Sequence, residues 1–202
     1  MKKILVTGFE PFGGDLRNPS GEAVLALQAP ANAEVRKLIL PVSWQRAFSQ
    51  IERVWDEWQP DAVLMVGLAA GSAAIRIERL GVNLCGETAD IDGLYAGGSA
   101  ENTGERPVIP GEREAFFTTY NSSSMLCAMK KKGVPVKYSF SAGTYICNYI
   151  LYSSLAKRSR ENKDVKIGFI HLPYAYGQKD GVPSMPLDNM VRALEIALAE
   201  IF

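Results

Sequence analysis

The sequence predicts an α/β protein. The expected form is a single domain over residues 1–202, a three-layer α/β/α sandwich around a mostly parallel, mixed, twisted sheet. Three observations carry this. Short apolar runs of strand length alternate with longer runs at helical spacing. Glycine, proline, asparagine and serine punctuate the joins. No repeat, low-complexity tract or linker divides the 202 residues, a length that suits one domain with a sizeable core.

Lys2 to Thr7 has the continuous apolar character of a buried strand, and it ends in the glycine-rich loop Gly8–Asp15. Asn18-Pro19-Ser20 supplies a cap and a first-turn proline for a helix running to about Gln28. Val35 to Val42 is a second strand. Ser43 starts a helix with Phe48, Ile51, Val54, Trp55 and Trp58 at helical spacing, and Pro60-Asp61 stops it. Ala62 to Gly67 is a third strand. Ala74 to Asn83 alternates, with Ile75 and Ile77 on one face and Arg76 and Glu78 on the other.

Gly86 to Gly111 is polar and weakly patterned, an excursion loop of the kind that carries function or assembly. Asn121 to Lys132 is a helix with a basic last turn and a stop at Gly133. Val136 to Phe140 is a strand, followed by a helix from about Ile146 to Arg160. Val165 to Ile170 is a strand ending at His171, and Leu187 to Phe202 is an amphipathic helix.

Composition narrows the function. Lys+Arg and Asp+Glu both number 22, so there is no basic excess to suit nucleic acid or an anionic membrane surface. No run approaches the ~18 apolar residues of a membrane span, and the N-terminal apolar run is too short for a signal-peptide core. Three cysteines, an odd and low count, are no disulfide framework and suggest a reducing, cytoplasmic setting. One histidine, with no Cys-x-x-Cys pair, argues against a metal site.

Chemistry concentrates at Cys147 and His171. Cys147 stands where a strand turns into a helix, where free N–H groups and the helix dipole favour thiolate and lower a cysteine pKa. If the strands on either side of that helix are parallel neighbours, the helix start and His171 share one carboxyl edge of the sheet, where ligand sites of open α/β sheets form. A cysteine nucleophile needs a base, and His171 is the only histidine. Cys127, beside Met125, Leu126 and Met129, reads as core; Cys85, before the polar loop, reads as exposable.

The acid that would orient the imidazole stays open on spacing alone. Glu78 interrupts an apolar run, but an ion pair with Arg76 or Arg79 explains it at least as well. Gly8 to Gly13 has P-loop spacing, yet Gly14-Asp15 stand where Lys and Ser/Thr belong, which excludes a phosphate cradle. Phe9 and Phe12 either stack on a flat apolar ligand or plug the core.

Lys3–Gly14, Asn18-Pro19, Val66–Ala69, Ile77-Glu78-Arg79, Ser141–Asn148 and Gly168–Tyr174 occur in the order and spacing of the pyrrolidone-carboxylate peptidases, the pyroglutamyl peptidase I family, and essentially the whole chain resembles it. The resemblance implies a cytosolic cysteine peptidase acting on small peptides with N-terminal pyroglutamate. It implies a triad of Glu78, Cys147 and His171, a homotetramer, and no metal or cofactor. It implies pocket walls of Phe9 and Phe12, to which Tyr145 and Ile146 add. The rivals are a cysteine amidase of other specificity and a non-catalytic binding protein on the same scaffold. Two segments depart from the family. Ala70-Gly71-Ser72 lacks an arginine usual after the third strand, and Ala89–Gly93 replaces an Ala-Arg-Ile-Pro-Asp-Asn segment.

Overall fold

A computed structural model describes all residues from Met1 to Phe202. The elements run β1 (Lys2–Phe9), α1 (Pro19–Ala26), β2 (Ala33–Leu40), α2 (Arg46–Trp58), β3 (Ala62–Leu68), β4 (Ile75–Glu78), β5 (Leu80–Val82) and β6 (Ala115–Phe117). They continue with α3 (Ser122–Lys131), β7 (Val136–Ser139), α4 (Ile146–Glu161), β8 (Lys166–Leu172), β9 (Tyr174–Ala175), β10 (Ser184–Met185) and α5 (Leu187–Ala199). Six strands form the main sheet in the order β2-β1-β3-β8-β4-β7. The pairs β1–β2, β1–β3 and β3–β8 are parallel, β4–β8 is antiparallel, and β4–β7 is parallel. The sheet is thus mostly parallel and mixed, as expected, with β4 and β7 running against the other four strands.

The period of two along the strands separates the two faces. Ile4, Val6, Leu64, Val66, Ile75, Ile77, Ile170 and Leu172 pack with α1, α3 and α5. Leu5, Phe9, Val63, Met65, Ile167 and Phe169 pack with α2 and α4. The central strands are buried on both faces, which is why β1 and β3 read as unbroken apolar runs.

Four expectations are corrected. The strands flanking α4 are not neighbours: β7 lies at the sheet edge, two places from β8, and runs opposite to it. Residues 140–145 therefore carry the chain back across the face before α4 begins. The predicted strand from Ala74 to Asn83 breaks at Arg79 into β4 and β5, because β5 leaves the main sheet to pair with β6. Cys127 is exposed, not core: the buried side of α3 is Ser122, Met125 and Met129, and Cys127 lies about 200° from Met125 around the helix. Cys85 is buried, because the polar loop folds back over it and its N–H donates to the Arg106 carbonyl at 2.7 Å.

Loop 86–111 has no regular element beyond single bridges, yet it is anchored. Asp90 accepts from the N–H groups of Trp44 at 2.8 Å and of Asp92 and Leu94, each at 2.9 Å. Asp92 accepts from the Ser43 hydroxyl and the Arg46 guanidinium. The two aspartates of the departing segment thus fasten it to the start of α2.

Candidate active site

His171 lies near the end of β8, and its side chain shares the α2/α4 face with Phe169, two residues back. The two rings sit 4.6 Å apart between centroids. Glu78, at the end of β4, points to the same face, since Ile75 and Ile77 point to the other. Antiparallel pairing of β4 with β8 then brings carboxylate and imidazole together. Glu78 Oε1 is 2.8 Å from His171 Nδ1, with Glu78 fully buried and His171 6% exposed.

The ion pairs considered for Glu78 do not form. Arg76 donates its Nε–H to Ser72 Oγ at 3.2 Å, and Arg79 lies over the Tyr138 ring. Glu78 Oε2 is buried with no partner. His171 therefore makes the one side-chain hydrogen bond that offsets burial of this carboxylate. The network assigns the proton to Nδ1 and leaves Nε2 as the free ring nitrogen.

The backbone behind the pair is fixed by Tyr120, whose hydroxyl lies 2.7 Å from the Glu78 carbonyl and 3.1 Å from that of Phe169. Its ring occupies the space over Gly168, where a Cβ would come within 1.5 Å of the ring.

Cys147 is the second residue of α4, whose first turn has no side-chain cap. Asn148 fastens this turn to β5: it accepts from Val82 N–H and donates to the carbonyls of Val82 and Leu84, each at 2.9 Å. The thiol rests over β3. A Cβ on Gly67 would stand 3.0 Å from Cys147 Sγ, and Gly67 is the register partner of His171. Cysteine and histidine thus lie over adjacent strands, by the return of residues 140–145 rather than by a β-α-β unit.

The helix start is not the only influence on the Cys147 thiol, which is half-buried in the pocket wall. Burial, with the nearby Glu78 carboxylate adding to it, pushes the Cys147 thiol up to about 12, while its own backbone N–H pulls it down.

Phe9, Phe12, Tyr145, Ile146 and Cys147 line one small pocket together with Asn18, Val42 and Leu68. Phe9 is 3% exposed and also belongs to the core, so it is both wall and plug. Tyr145 is braced from behind: its hydroxyl donates to the Ala89 carbonyl at 3.0 Å, and Trp44 meets its ring edge-on at 5.4 Å. Sequence reasoning missed Val42 and Leu68 as walls. Their signal was position, at or just past the carboxyl ends of the parallel strands β2 and β3.

Comparison with known proteins gives a consistent picture. Residues 2–202 match the family model described as pyroglutamyl peptidase. A pyrrolidone-carboxylate peptidase of Enterobacter sp. (strain 638) is 38% identical over 207 residues, covering 98% of this chain and 92% of the relative. Pyrrolidone-carboxylate peptidase 2 of Streptococcus pneumoniae is 34% identical, again over 98% and 92%. Among solved structures, the pyroglutamyl peptidase I from Bacillus amyloliquefaciens superposes with a TM-score of 0.90 at 32% identity, over 99% of this chain and 94% of the other. The pyrrolidone carboxyl peptidase from Thermococcus litoralis gives 0.91 at 32% identity, over 100% and 93%.

Proposed function

The chain belongs to the pyroglutamyl peptidase family of cysteine-type hydrolases, which remove N-terminal pyroglutamate, and from that premise we propose that Cys147, His171 and Glu78 perform the reaction through a thioester. The observation that carries this reading is the buried 2.8 Å contact of Glu78 with His171, on the sheet face where Cys147 Sγ covers Gly67.

A thiol nucleophile gives up its proton as the sulfur attacks. His171 Nε2 takes it while Sγ bonds to the pyroglutamyl carbonyl carbon. The uncapped N–H groups at the start of α4 receive the developing oxyanion. The loop after β3 is less free to help, because Ala69 N–H already donates to the Leu172 carbonyl at 2.8 Å. The C–N bond breaks and the proton passes from His171 to the leaving amine. Water then attacks the thioester, giving its proton to His171. The S–C bond breaks, the thiol regains that proton, and pyroglutamate departs. Glu78 holds the ring by Nδ1 and sets its charge against that of the imidazolium.

Pyroglutamate is a neutral lactam with no free amino group, so its pocket needs apolar walls rather than an acid. The Phe9–Phe12–Tyr145–Ile146 pocket supplies such walls. The whole chain acts as one domain. The family resemblance supports reading the protein as a cytoplasmic homotetramer. Light scattering at working concentration tests the assembly.

The deciding assay compares amine release from pyroglutamyl, prolyl and glutamyl amides by wild type and by Cys147→Ser. Hydrolysis of the pyroglutamyl amide alone, abolished by the substitution, is expected. Full activity in Cys147→Ser would remove Cys147 from the reaction.

A further inference from the structure

Arg76 is a cation without an acid. Its Nε–H donates to Ser72 Oγ at 3.2 Å, it makes no ion pair, and its side chain is half-buried. It faces the same side of the sheet as Glu78, and it is the register partner of His171 across the antiparallel β4–β8 pair. Such partners stand ~4.5–5.5 Å apart at Cβ. Ser72 lies in the loop that leaves β3 at the edge where β8 ends, so the guanidinium is held at the rim of the site.

Sheet order makes this position informative. Along the edge, Phe9 stands on β1, Gly67 under Cys147 Sγ on β3, His171 on β8 and Arg76 on β4. The pocket for the acyl group opens on the β1 side of the sulfur. The leaving amine, protonated by His171, must therefore lie on the other side, toward β4. Three strand spacings from Phe9 to Arg76 are about 14 Å, enough for a lactam ring followed by one further residue.

We propose that Arg76 is a specificity-determining residue that binds the free α-carboxylate of the amino acid following pyroglutamate, so that pyroglutamyl dipeptides are preferred substrates. A guanidinium matches a carboxylate with parallel N–H donors. With Nε fixed by Ser72, the terminal N–H groups remain for the ligand. The proposal rests on the peptidase reading above and names the leaving half of its substrate.

Pyroglutamyl-alanine and pyroglutamyl-alaninamide differ only in that carboxylate. For wild type at low ionic strength, kcat/KM should favour the free acid by about tenfold. The ratio should fall to about one in Arg76→Gln and lie between in Arg76→Lys. Because both substrates are read on the same enzyme, a general loss of activity cancels. In wild type the ratio should also shrink as salt is added, which a purely structural role for Arg76 would not produce. Equal use of both substrates by wild type, or an unchanged ratio in Arg76→Gln, would overturn the assignment to Arg76 alone. Cleavage of neither would overturn the peptidase reading, and this proposal with it.

Discussion

Gly67 and Cys147 are matched by a missing side chain. The glycine leaves the space in which the thiol rests, and any β-carbon there would stand 3.0 Å from Sγ and 2.8 Å from the Phe169 ring. Gly67→Ala is therefore expected to move the sulfur away from its place beside His171. Overpacking of this kind costs about 1–3 kcal/mol, and a small displacement of the reacting sulfur lowers kcat by less than the roughly 10²-fold of a full ~1 Å misplacement. Thermal denaturation and steady-state kinetics check the two effects. Unaltered kcat would mean that the thiol tolerates another position.

Glu78→Gln keeps the size of the side chain and removes its charge. The protein should fold, since the amide can still accept from His171 Nδ1. The rate should fall by about 10²–10⁴-fold, because the imidazolium formed during turnover loses its counter-charge and the ring its fixed tautomer. Circular dichroism with kcat on a pyroglutamyl amide tests this. An unchanged rate would leave Glu78 a structural carboxylate.

The Cys147 thiol, raised from 9.0 to about 12, gives the fold a dependence on alkaline pH. Between those two values the folded chain keeps this proton and the unfolded chain releases it. The contribution is present below the unfolded value and is lost as pH rises toward the folded one. The urea midpoint of wild type should therefore fall more steeply than that of Cys147→Ser between about pH 9 and pH 11. Parallel curves would show an unperturbed thiol.

Asp90 receives three backbone N–H groups and stands behind the Trp44–Tyr145 wall. Asp90→Ala leaves those donors without their acceptor, at about 1–3 kcal/mol. It also loosens residues 88–94, to which Tyr145 is tied through Ala89. A lower melting temperature and a raised KM, with kcat less affected, are expected from calorimetry and kinetics. A rise in KM of the same size in Arg53→Ala, far along α2, would show that the effect is not local.

Much of this was legible in the residues, and the illegible part has a physical cause. Alternating runs gave the layered class, and the lone histidine with a cysteine at a helix start marked the candidate site. Pairing partners are another matter. Alternation in Val136–Ser139 marks a strand without naming its partner, and only the exposed Lys137 hints at the edge position beside β4. The role of Glu78 hung on that choice: next to β8 it reaches His171, while by spacing alone Arg76 and Arg79 are its nearest cations. The environment of the thiol was hidden for a related reason. A helix start is visible in sequence, whereas burial beside a carboxylate from 69 positions earlier in the chain (147 − 78) is a product of the fold.

The raised thiol also bears on chemical durability. Peroxides attack thiolates and largely spare thiols. A Cys147 sulfur that keeps its proton presents little to oxidise, and the acylated sulfur of a thioester presents less still. Inactivation by peroxide should accordingly quicken as pH rises toward the value of this thiol, and saturating pyroglutamyl substrate should slow it.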